Sequence, residues 1–218
     1  MTGVVFNHRH ILREDVGSIG IGAMIIFIAT ILVAGIAANV LIQTMNSLET
    51  QALRTGENTI REVSGGLKIT QVSGYTSSSL ITQLALFVTP MAGSEDLDLS
   101  AVYISLSDTS KSVILTYDST TFSSSATGGL FSTLNTSNLS SNEFGLIVIR
   151  DIDTSCTSST PVINDQDLVA LIVNTTSCFS GINPRCDVSG YVIPEFGMRG
   201  VISFTTPSAF INTIISLQ

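Results

Sequence analysis

The sequence predicts an α+β protein in which one long N-terminal hydrophobic α-helix is followed by a C-terminal antiparallel β-sandwich or barrel-like domain. Three observations carry this prediction. A run without any charged residue extends from Val16 to Leu48. Two adjacent glycines, Gly65-Gly66, interrupt the chain further on. Beyond them, short stretches rich in Val, Ile, Leu, Tyr and Phe alternate with turns rich in Ser, Asp, Gly and Asn, which is typical of β-strands.

The uncharged run predicts a helix that is long enough to cross a bilayer. Its centre, Ser18–Ile42, reads SIGIGAMIIFIATILVAGIAANVLI and contains no proline. A helix needs ~20 such residues to span the hydrocarbon core. The pattern then becomes amphipathic at helical spacing, and Gly65-Gly66 is a stop signal. We expect one helix from Gly20 to Ser64, bent or weakened at Gly56.

The rest of the chain predicts a β domain of short strands, which favours a sandwich or barrel. Asp108-Thr109-Ser110-Lys111 is typical of a hairpin turn. The stretches Ser119–Asn142 and Thr154–Thr160 are rich in polar residues and predict surface loops. The predicted strands are Leu67–Val72, Leu80–Thr89, Leu97–Leu106, Ser112–Tyr117, Phe144–Arg150, Leu168–Asn174, Tyr191–Ile193 and Gly200–Thr205.

The charge distribution excludes nucleic-acid binding. Only 12% of the 218 residues are charged, against a usual ~25%, and the net charge is −8. Nucleic-acid binding needs clustered Lys and Arg that displace counterions, and the sequence has no such cluster. An acidic exterior rich in Ser and Thr instead favours a surface that stays soluble outside the cell.

The sequence predicts no catalytic site, metal or cofactor. His8 and His10 are its only histidines, so the usual general base near neutral pH is missing from the rest of the chain. Neither a P-loop nor an H-E-x-x-H motif occurs. Glu95-Asp96-x-Asp98 and Asp151-x-Asp153 offer the oxygen ligands that Ca²⁺ prefers. Both lack the D-x-[DN]-x-[DN]-G loop, so we interpret them as solvated turn charges.

The second half of the chain carries all three cysteines, Cys156, Cys178 and Cys186. An odd number allows at most one intramolecular pair. Cys178 and Cys186 enclose a short segment with Gly181 and Pro184, which suits a small bridged loop. A Cys156–Cys178 pair and three free thiols are the alternatives that the sequence leaves open.

Three N-x-[ST] triplets predict candidate glycosylation sites at Asn135, Asn138 and Asn174. The first two fall in the predicted polar loop Ser119–Asn142, where a glycan would be accessible. Asn174 stands at the end of a predicted strand. For an exported surface protein, we expect a glycan on at least one of them.

The start of the apolar run carries a family resemblance. A short charged leader ends at Gly17, and Ser18 and Ile19 precede Gly20-Ile21-Gly22 and a long Ile/Val/Ala/Leu helix. Over residues 16–43 this order of small and large residues resembles the amino terminus of archaeal flagellins, the archaellins. Type IV pilins usually carry Glu as the fifth residue of the mature chain. If Ser18 is the first, Gly22 stands there, which favours the archaellins.

The resemblance implies how the chain is processed and divided. A prepilin-peptidase-like enzyme would cut between Gly17 and Ser18. Residues 1–17 would then be the leader, 18–66 the assembly helix and 67–218 the outer β domain. The small-residue string Ala34–Ala38 offers the alternative of a cut inside the run, which would leave a soluble domain from Asn39 onward.

The resemblance also implies the function, a structural subunit of the extracellular archaeal motility filament. The helix would be stored in the membrane and then pack against the same helix of other subunits, with the β domains as the outer shell. Lipid is as apolar as leucine, so close packing of small residues drives this transfer. The small residues expected at these contacts include Gly20, Gly22, Ala34, Gly35 and Ala38.

Partners and a rival function follow from the same reasoning. The implied partners are other copies of the chain, the peptidase, the membrane before assembly, and a membrane motor and assembly platform. The alternative function is a surface-anchored adhesive pilin. It would share the helix, the β domain and the glycosylation triplets, but it would need neither the cut at Gly17/Ser18 nor a charge-free helix packed on its own copies.

Overall fold

The chain folds into one long helix and one curled sheet. The structure is a computed structural model that describes residues 11–218, with side chains described at Gly17 and from Ile19 onward. The chain divides into two compact units, the first reaching to Gly56 and the second comprising Glu57–Gln218. The last turns of the helix therefore belong to the same unit as the sheet, whereas the apolar run belongs to the other.

The long helix, α1, comprises Ile11–Ser64 without interruption. Its end confirms the stop signal predicted from Gly65-Gly66, and it stays helical through Gly56. Its start differs from the expected Gly20, because residues 11–19 contain no proline or other strong helix breaker besides Gly17. The leader predicted over residues 1–17 thus lies partly in α1, and residues 1–10 are outside the described residues.

The β domain contains eleven strands and two short helices within the described residues. The helices are α2, Leu130–Thr133, and α3, Thr175–Phe179. The strands are β1 Leu67–Ser77, β2 Leu80–Pro90, β3 Leu97–Asp98, β4 Tyr103–Asp108, β5 Lys111–Ser123, β6 Glu143–Arg150, β7 Val162–Ile163, β8 Leu168–Asn174, β9 Asp187–Ile193, β10 Gly200–Thr205 and β11 Ile214–Ser216.

Nine of these strands form one sheet in the order β10-β9-β4-β5-β6-β8-β2-β1-β11. Neighbours are antiparallel except β5 and β6, which are parallel, a pairing that the sequence did not predict. The two ends of the sheet approach each other, because the Gln218 side chain accepts from Ser203 N at 3.0 Å and donates to Val201 O at 3.2 Å. The predicted class, a long helix followed by an antiparallel β-sandwich or barrel-like domain, is confirmed, and the domain is one curled sheet that is mostly antiparallel.

One hydrophobic core fills the inside of the curl, with Phe144, Leu86 and Leu115 among its fully buried side chains. A second, smaller cluster lies on the outer face of the sheet. There Ala85, Ile147, Ala170 and Ile172 are covered by Leu130, Phe131 and Leu134. Strands β2, β6 and β8 are therefore buried on both faces, which explains why β8 reads as an almost continuous apolar run.

The covering segment corrects the sequence prediction of one polar loop over Ser119–Asn142. Strand β5 continues to Ser123, and α2 then packs its apolar residues onto the sheet. The predicted strand Leu97–Leu106 is also wrong as a single element. The Asp98 carboxylate accepts from Ser100 N at 2.8 Å and caps a 3₁₀ turn, Leu99–Ala101, which separates β3 from β4.

Candidate functional site

The large apolar residues of α1 are exposed in the single chain. Between Ile19 and Ile42 their exposed fractions range from 52% to 72%. The helix is long and apolar enough to cross a membrane by length and composition, with a mean hydropathy of 2.7 in its most apolar window, although a signal sequence meets the same criteria. Apolar surface of this extent needs a cover of lipid or of other protein.

The small residues that the sequence singled out are open to close approach. A Cβ added at Gly20, Gly22 or Gly35 would have no neighbouring atom within 4 Å outside the local helix backbone. Ala34 and Ala38 are exposed and four residues apart in sequence, so they lie on one face of α1. Side chains this small allow a second helix backbone to come near, which is how apolar helices associate without a hydrophobic driving force.

Two hydroxyl groups within and beside the run are already satisfied by α1 itself. Thr30 Oγ1 donates to Phe27 O, and Thr44 Oγ1 donates to Leu41 O, each at 2.8 Å. Such bonds hide the hydroxyl hydrogen from a dry environment, where an unpaired polar group is costly. These threonines therefore do not oppose burial of the helix in lipid or among other helices.

The proposed processing position lies in helical backbone. Gly17 and Ser18 both belong to α1, and Gly17 is exposed, with nothing within 4 Å of an added Cβ. Gly17 is therefore not covered by any part of the chain that the structure describes.

The last turns of α1 are fixed on the β domain by polar and ring contacts that sequence reasoning missed. Arg61 Nε donates to Glu95 Oε2 at 2.7 Å, and the guanidinium lies 4.5 Å from the centre of the Phe196 ring. Gly197 N donates to Glu62 Oε2 at 3.3 Å. These contacts explain why the compact unit of the sheet begins at Glu57.

Gly65 and Gly66 connect α1 to β1, and together with Gly197 they form what we call the glycine joint. Met198 N donates to Gly65 O at 2.9 Å, and Met91 N donates to Gly66 O at 2.9 Å. Gly197 has a φ of +83°, and a Cβ there would lie 2.2 Å from Gly65 O. Only glycine fits that approach, so the joint at which the helix meets the sheet depends on Gly197 as well as on the predicted Gly65-Gly66.

The structure separates the three glycosylation triplets into two kinds. Asn135 and Asn138 are exposed. Asn174 is only 9% exposed, and its side chain caps α3. Its Nδ2 donates to Thr136 O at 2.8 Å, while its Oδ1 accepts from Thr176 N and Ser177 N. The nitrogen that would carry a glycan is therefore already used at Asn174.

The three cysteines are free thiols in the structure, so the predicted Cys178–Cys186 pair is not bonded there. Cys178 Sγ donates to Ser141 O at 3.4 Å.

Burial raises the pKa of Cys178 to about 11, with a small opposite effect from Lys111. Burial raises the pKa of Cys156 to about 12, with the nearby carboxylates of Asp151 and Asp167 adding to the shift. Burial raises the pKa of Cys186 as well.

The acidic group predicted at Asp151 and Asp153 includes a third carboxylate in the structure. Asp167, only 1% exposed, joins Asp151 and Asp153, and their ligand atoms lie within 4.8 Å of one another. Sequence spacing hid Asp167, which the antiparallel pairing of β6 and β8 brings to this edge. These oxygens could hold a cation, but they already accept from Thr154 N at 2.7 Å and Asn164 N at 3.1 Å. Hydrogen bonds from the side chains of Asn164 and Ser155 lower the pKa of Asp153 to about 2.

The other acidic group does not converge on one site. Glu95 pairs with Arg61, and Asp98 caps the 3₁₀ turn that precedes β4. Both carboxylates therefore have local structural partners, and exposed acidic groups in turns commonly have no further role.

Known proteins resemble this chain over most of its length. The family model described as archaeal-type flagellin matches residues 17–204. Flagellin B2 of Methanocaldococcus jannaschii is 45% identical over 213 residues, which is 95% of this chain and 97% of that protein. Flagellin B1 of Methanococcus voltae is 38% identical over 218 residues, which is 97% of this chain and 100% of that protein.

Solved structures resemble it too. The crystal structure of archaeal flagellin FlaB1 from M. jannaschii matches with a TM-score of 0.63 at 36% identity, covering 71% of this chain and 97% of that one. The archaeal flagellum of Methanospirillum hungatei matches with a TM-score of 0.64 at 15% identity, covering 91% and 98%, which supports the fold. The chain belongs to the archaeal-type flagellin family.

Proposed function

We infer that the chain is a structural subunit that polymerises with its own copies into the archaeal motility filament outside the cell. The observation that carries this inference is the apolar run of α1, whose large side chains from Ile19 to Ile42 are exposed, in a chain whose β domain has a core of its own. A subunit that makes heterologous contacts which do not close produces a helical polymer. Membership of the flagellin family favours this function over the adhesive pilin.

During assembly the apolar helix moves from the membrane to contacts with the helices of other subunits. Before polymerisation the run lies in the membrane, and afterwards it packs against the same helix of neighbouring subunits. Gly20, Gly22, Gly35 and the Ala34/Ala38 pair provide the surfaces for close packing. The β domains form the outer shell, and a membrane motor and assembly platform supplies the torque and inserts the subunits.

Maturation is the second part of the proposal. A prepilin-peptidase-like enzyme cuts between Gly17 and Ser18, so the mature chain has a helix over 18–66 and a β domain over 67–218. Mass spectrometry of filaments sheared from cells should find a first residue of Ser18 and no peptide from residues 1–17. An intact leader in assembled material, or a first residue of Asn39, would contradict this step.

Glycosylation is proposed at Asn135 and Asn138 but not at Asn174. The first two are exposed, whereas the Asn174 amide nitrogen already donates to Thr136 O. Asn135→Gln and Asn138→Gln should each remove one glycan mass from the filament protein. Asn174→Gln is the matched control and should leave the mass unchanged apart from the substitution. A glycan on Asn174 would mean that the loop opens before folding is complete.

A catalytic role is not proposed. Both histidines precede the proposed mature start, and a structural polymer needs no chemistry after maturation. Electron microscopy of sheared surface material, combined with mass spectrometry of the same sample, tests the whole proposal. Filaments built from this chain are the expected result. Its recovery only as a membrane-anchored monomer would support the adhesive alternative.

A further inference from the structure

The two halves of the sheet differ on their outer faces. The half around β2, β6 and β8 is covered by Leu130, Phe131 and Leu134 of the chain itself. The half formed by β10, β9, β4 and β5 has no such cover among the described residues. Ile114 is 62% exposed, Val201 53% and Tyr103 51%. We call this second surface the uncovered face.

The strand register aligns apolar side chains across the uncovered face. Val201 pairs with Tyr191, Tyr191 with Ser105, and Ser105 with Ile114, which makes one row across all four strands. Ile193 and Tyr103 pair beside it. A row of hydroxyl groups follows on the other side, formed by Ser203, Ser189, Ser107 and Ser112. Every position in these rows is uncharged.

The charged groups of the uncovered face lie at its perimeter. The backbones of Asp108 and Lys111 pair at the hairpin that joins β4 to β5, and Lys111 Nζ donates to Cys178 O at 2.6 Å. Asp187 accepts from the Thr205 hydroxyl at 2.6 Å. The Arg199 guanidinium lies 4.1 Å from the centre of the Tyr191 ring. A surface whose central rows carry no charged residue is unusual on a chain whose net charge is −8.

We propose that the uncovered face is the lateral contact between β domains in the filament and that its occupant is a second copy of this chain. The proposal rests on the assembly function inferred above. Copies that each carry −8 repel one another, so a lateral contact is least costly where charge is absent. Arg199, at the perimeter, is suited to an Asp or Glu side chain of the neighbour, and the sequence contains many of these residues.

The composition of the uncovered face also fits a protein partner. Tyrosine and arginine are enriched in protein interfaces, whereas Lys, Glu and Asp are depleted. The Tyr191 ring, which contacts the Arg199 guanidinium, is a rigid aromatic side chain that a partner can pack against, with a charged group beside it. A copy held nearby by its packed helix needs only weak affinity to stay there, because tethering raises its effective concentration. The uncovered face thus adds to assembly that α1 makes possible.

Tyrosine nitration tests this contact, since the chain has only four tyrosines. Filaments and full-length chain held unassembled in detergent micelles are treated with tetranitromethane, and each tyrosine is quantified by mass spectrometry. Tyr103 and Tyr191 should be protected in filaments by at least about fivefold. Tyr75 and Tyr117, which are half-buried and lie off the face, serve as internal references. Equal nitration of Tyr103 and Tyr191 in both states would overturn the proposal.

A charge variant gives an independent readout. Ser105 lies in the centre of the apolar row, and Ser105→Glu places a carboxylate there; Ser125→Glu adds the same charge to an exposed serine outside it. The critical concentration for assembly should rise at least ~10-fold for Ser105→Glu relative to Ser125→Glu, because an unpaired charge would be desolvated at the contact. Circular dichroism of the unassembled chains checks folding.

The outcomes distinguish this proposal from the function on which it rests. If the chain forms no filaments, the assembly function fails. If it forms filaments in which Ser105→Glu and Ser125→Glu assemble alike, the uncovered face is not a contact between copies. In that case the face is free for an adhesive ligand or for solvent.

Discussion

The apolar run of α1 and strand β8 have nearly the same composition, but the run is exposed and β8 is buried. The run Ser18–Ile42 and the strand Leu168–Asn174 are both dominated by Val, Ile, Leu and Ala. In the run these side chains are exposed along their whole length, whereas in β8 they are buried on both faces of the sheet. The difference teaches that the core strands of the β domain bury their apolar residues within one chain, whereas the helix does not. Folding of one part and assembly of the other are therefore separable.

The largest expected effect comes from a charge in the run. Ala34→Asp should abolish filaments and leave the β domain folded. In the single chain the new carboxylate is exposed, but between packed helices an unpaired ion costs ~3–5 kcal/mol per subunit. A sedimentation assay measures assembly, and circular dichroism measures the strand content of the domain.

Ala34→Ser is the matched control, because it changes the same position by one small neutral group whose hydroxyl can bond within the helix. It should form filaments. Normal filaments from Ala34→Asp would show that the helix only anchors the chain and that the assembly contacts lie elsewhere.

The second-largest expected effect concerns the connection between α1 and the β domain. Gly197→Ala should destabilise the β domain and loosen the last turns of α1, because the added Cβ would lie 2.2 Å from Gly65 O. Gly93→Ala is the control, since its φ of +86° is similar but its Cβ would meet nothing within 4 Å. The control carries only the left-handed backbone cost of ~1–2 kcal/mol, and Gly197→Ala adds ~1–3 kcal/mol for displaced backbone.

Chemical unfolding followed by circular dichroism measures both glycine variants. Equal losses of unfolding free energy would mean that the joint relaxes without cost. The contacts of Arg61 and Glu62 with the β domain would then be incidental.

The sequence predicted the elements whose signals are local. The end of α1 at Ser64, the hairpin at Asp108–Lys111 and strand β8 all follow from nearby residues: a glycine pair, a polar turn and an apolar run. The long helix is the clearest case, because few other structures are compatible with a charge-free run of this length. The assembly function was likewise predicted through residues 16–43 alone.

Sequence reasoning failed where an element depends on distant partners. The parallel pair β5–β6 and the two-residue strand β7 exist only through register with other strands. Asp167 joins Asp151 and Asp153 because two strands lie side by side, and spacing along the chain cannot reveal that. The uncovered face had a detectable signal. Around Tyr191 and Val201, apolar residues occupy both faces of an otherwise alternating strand, which indicates a second buried surface.

The smallest effect concerns the cysteines of the β domain. At pH 8, iodoacetamide should alkylate Cys186 faster than Cys178 and Cys156. Burial is the main cause of the raised pKa values of about 11 and about 12 at the latter two, which leaves little of the reactive thiolate. Alkylation should speed up as the pH rises toward those values. Mass spectrometry without reductant reads all three sites. A Cys178–Cys186 disulfide would instead leave both unmodified until reductant is added.

The central claim is that the apolar run, not the β domain, holds the filament together. Analytical ultracentrifugation of the fragment Glu57–Gln218 beside the mature chain Ser18–Gln218 tests it most directly. That fragment keeps Arg61, Glu62 and the glycine joint, so it retains every contact of its compact unit. We predict a soluble monomer rich in strand from low to moderate salt, while the mature chain from Ser18 sediments as filaments. Polymerisation of the fragment under the same conditions would place the main assembly contacts in the β domain and contradict the account.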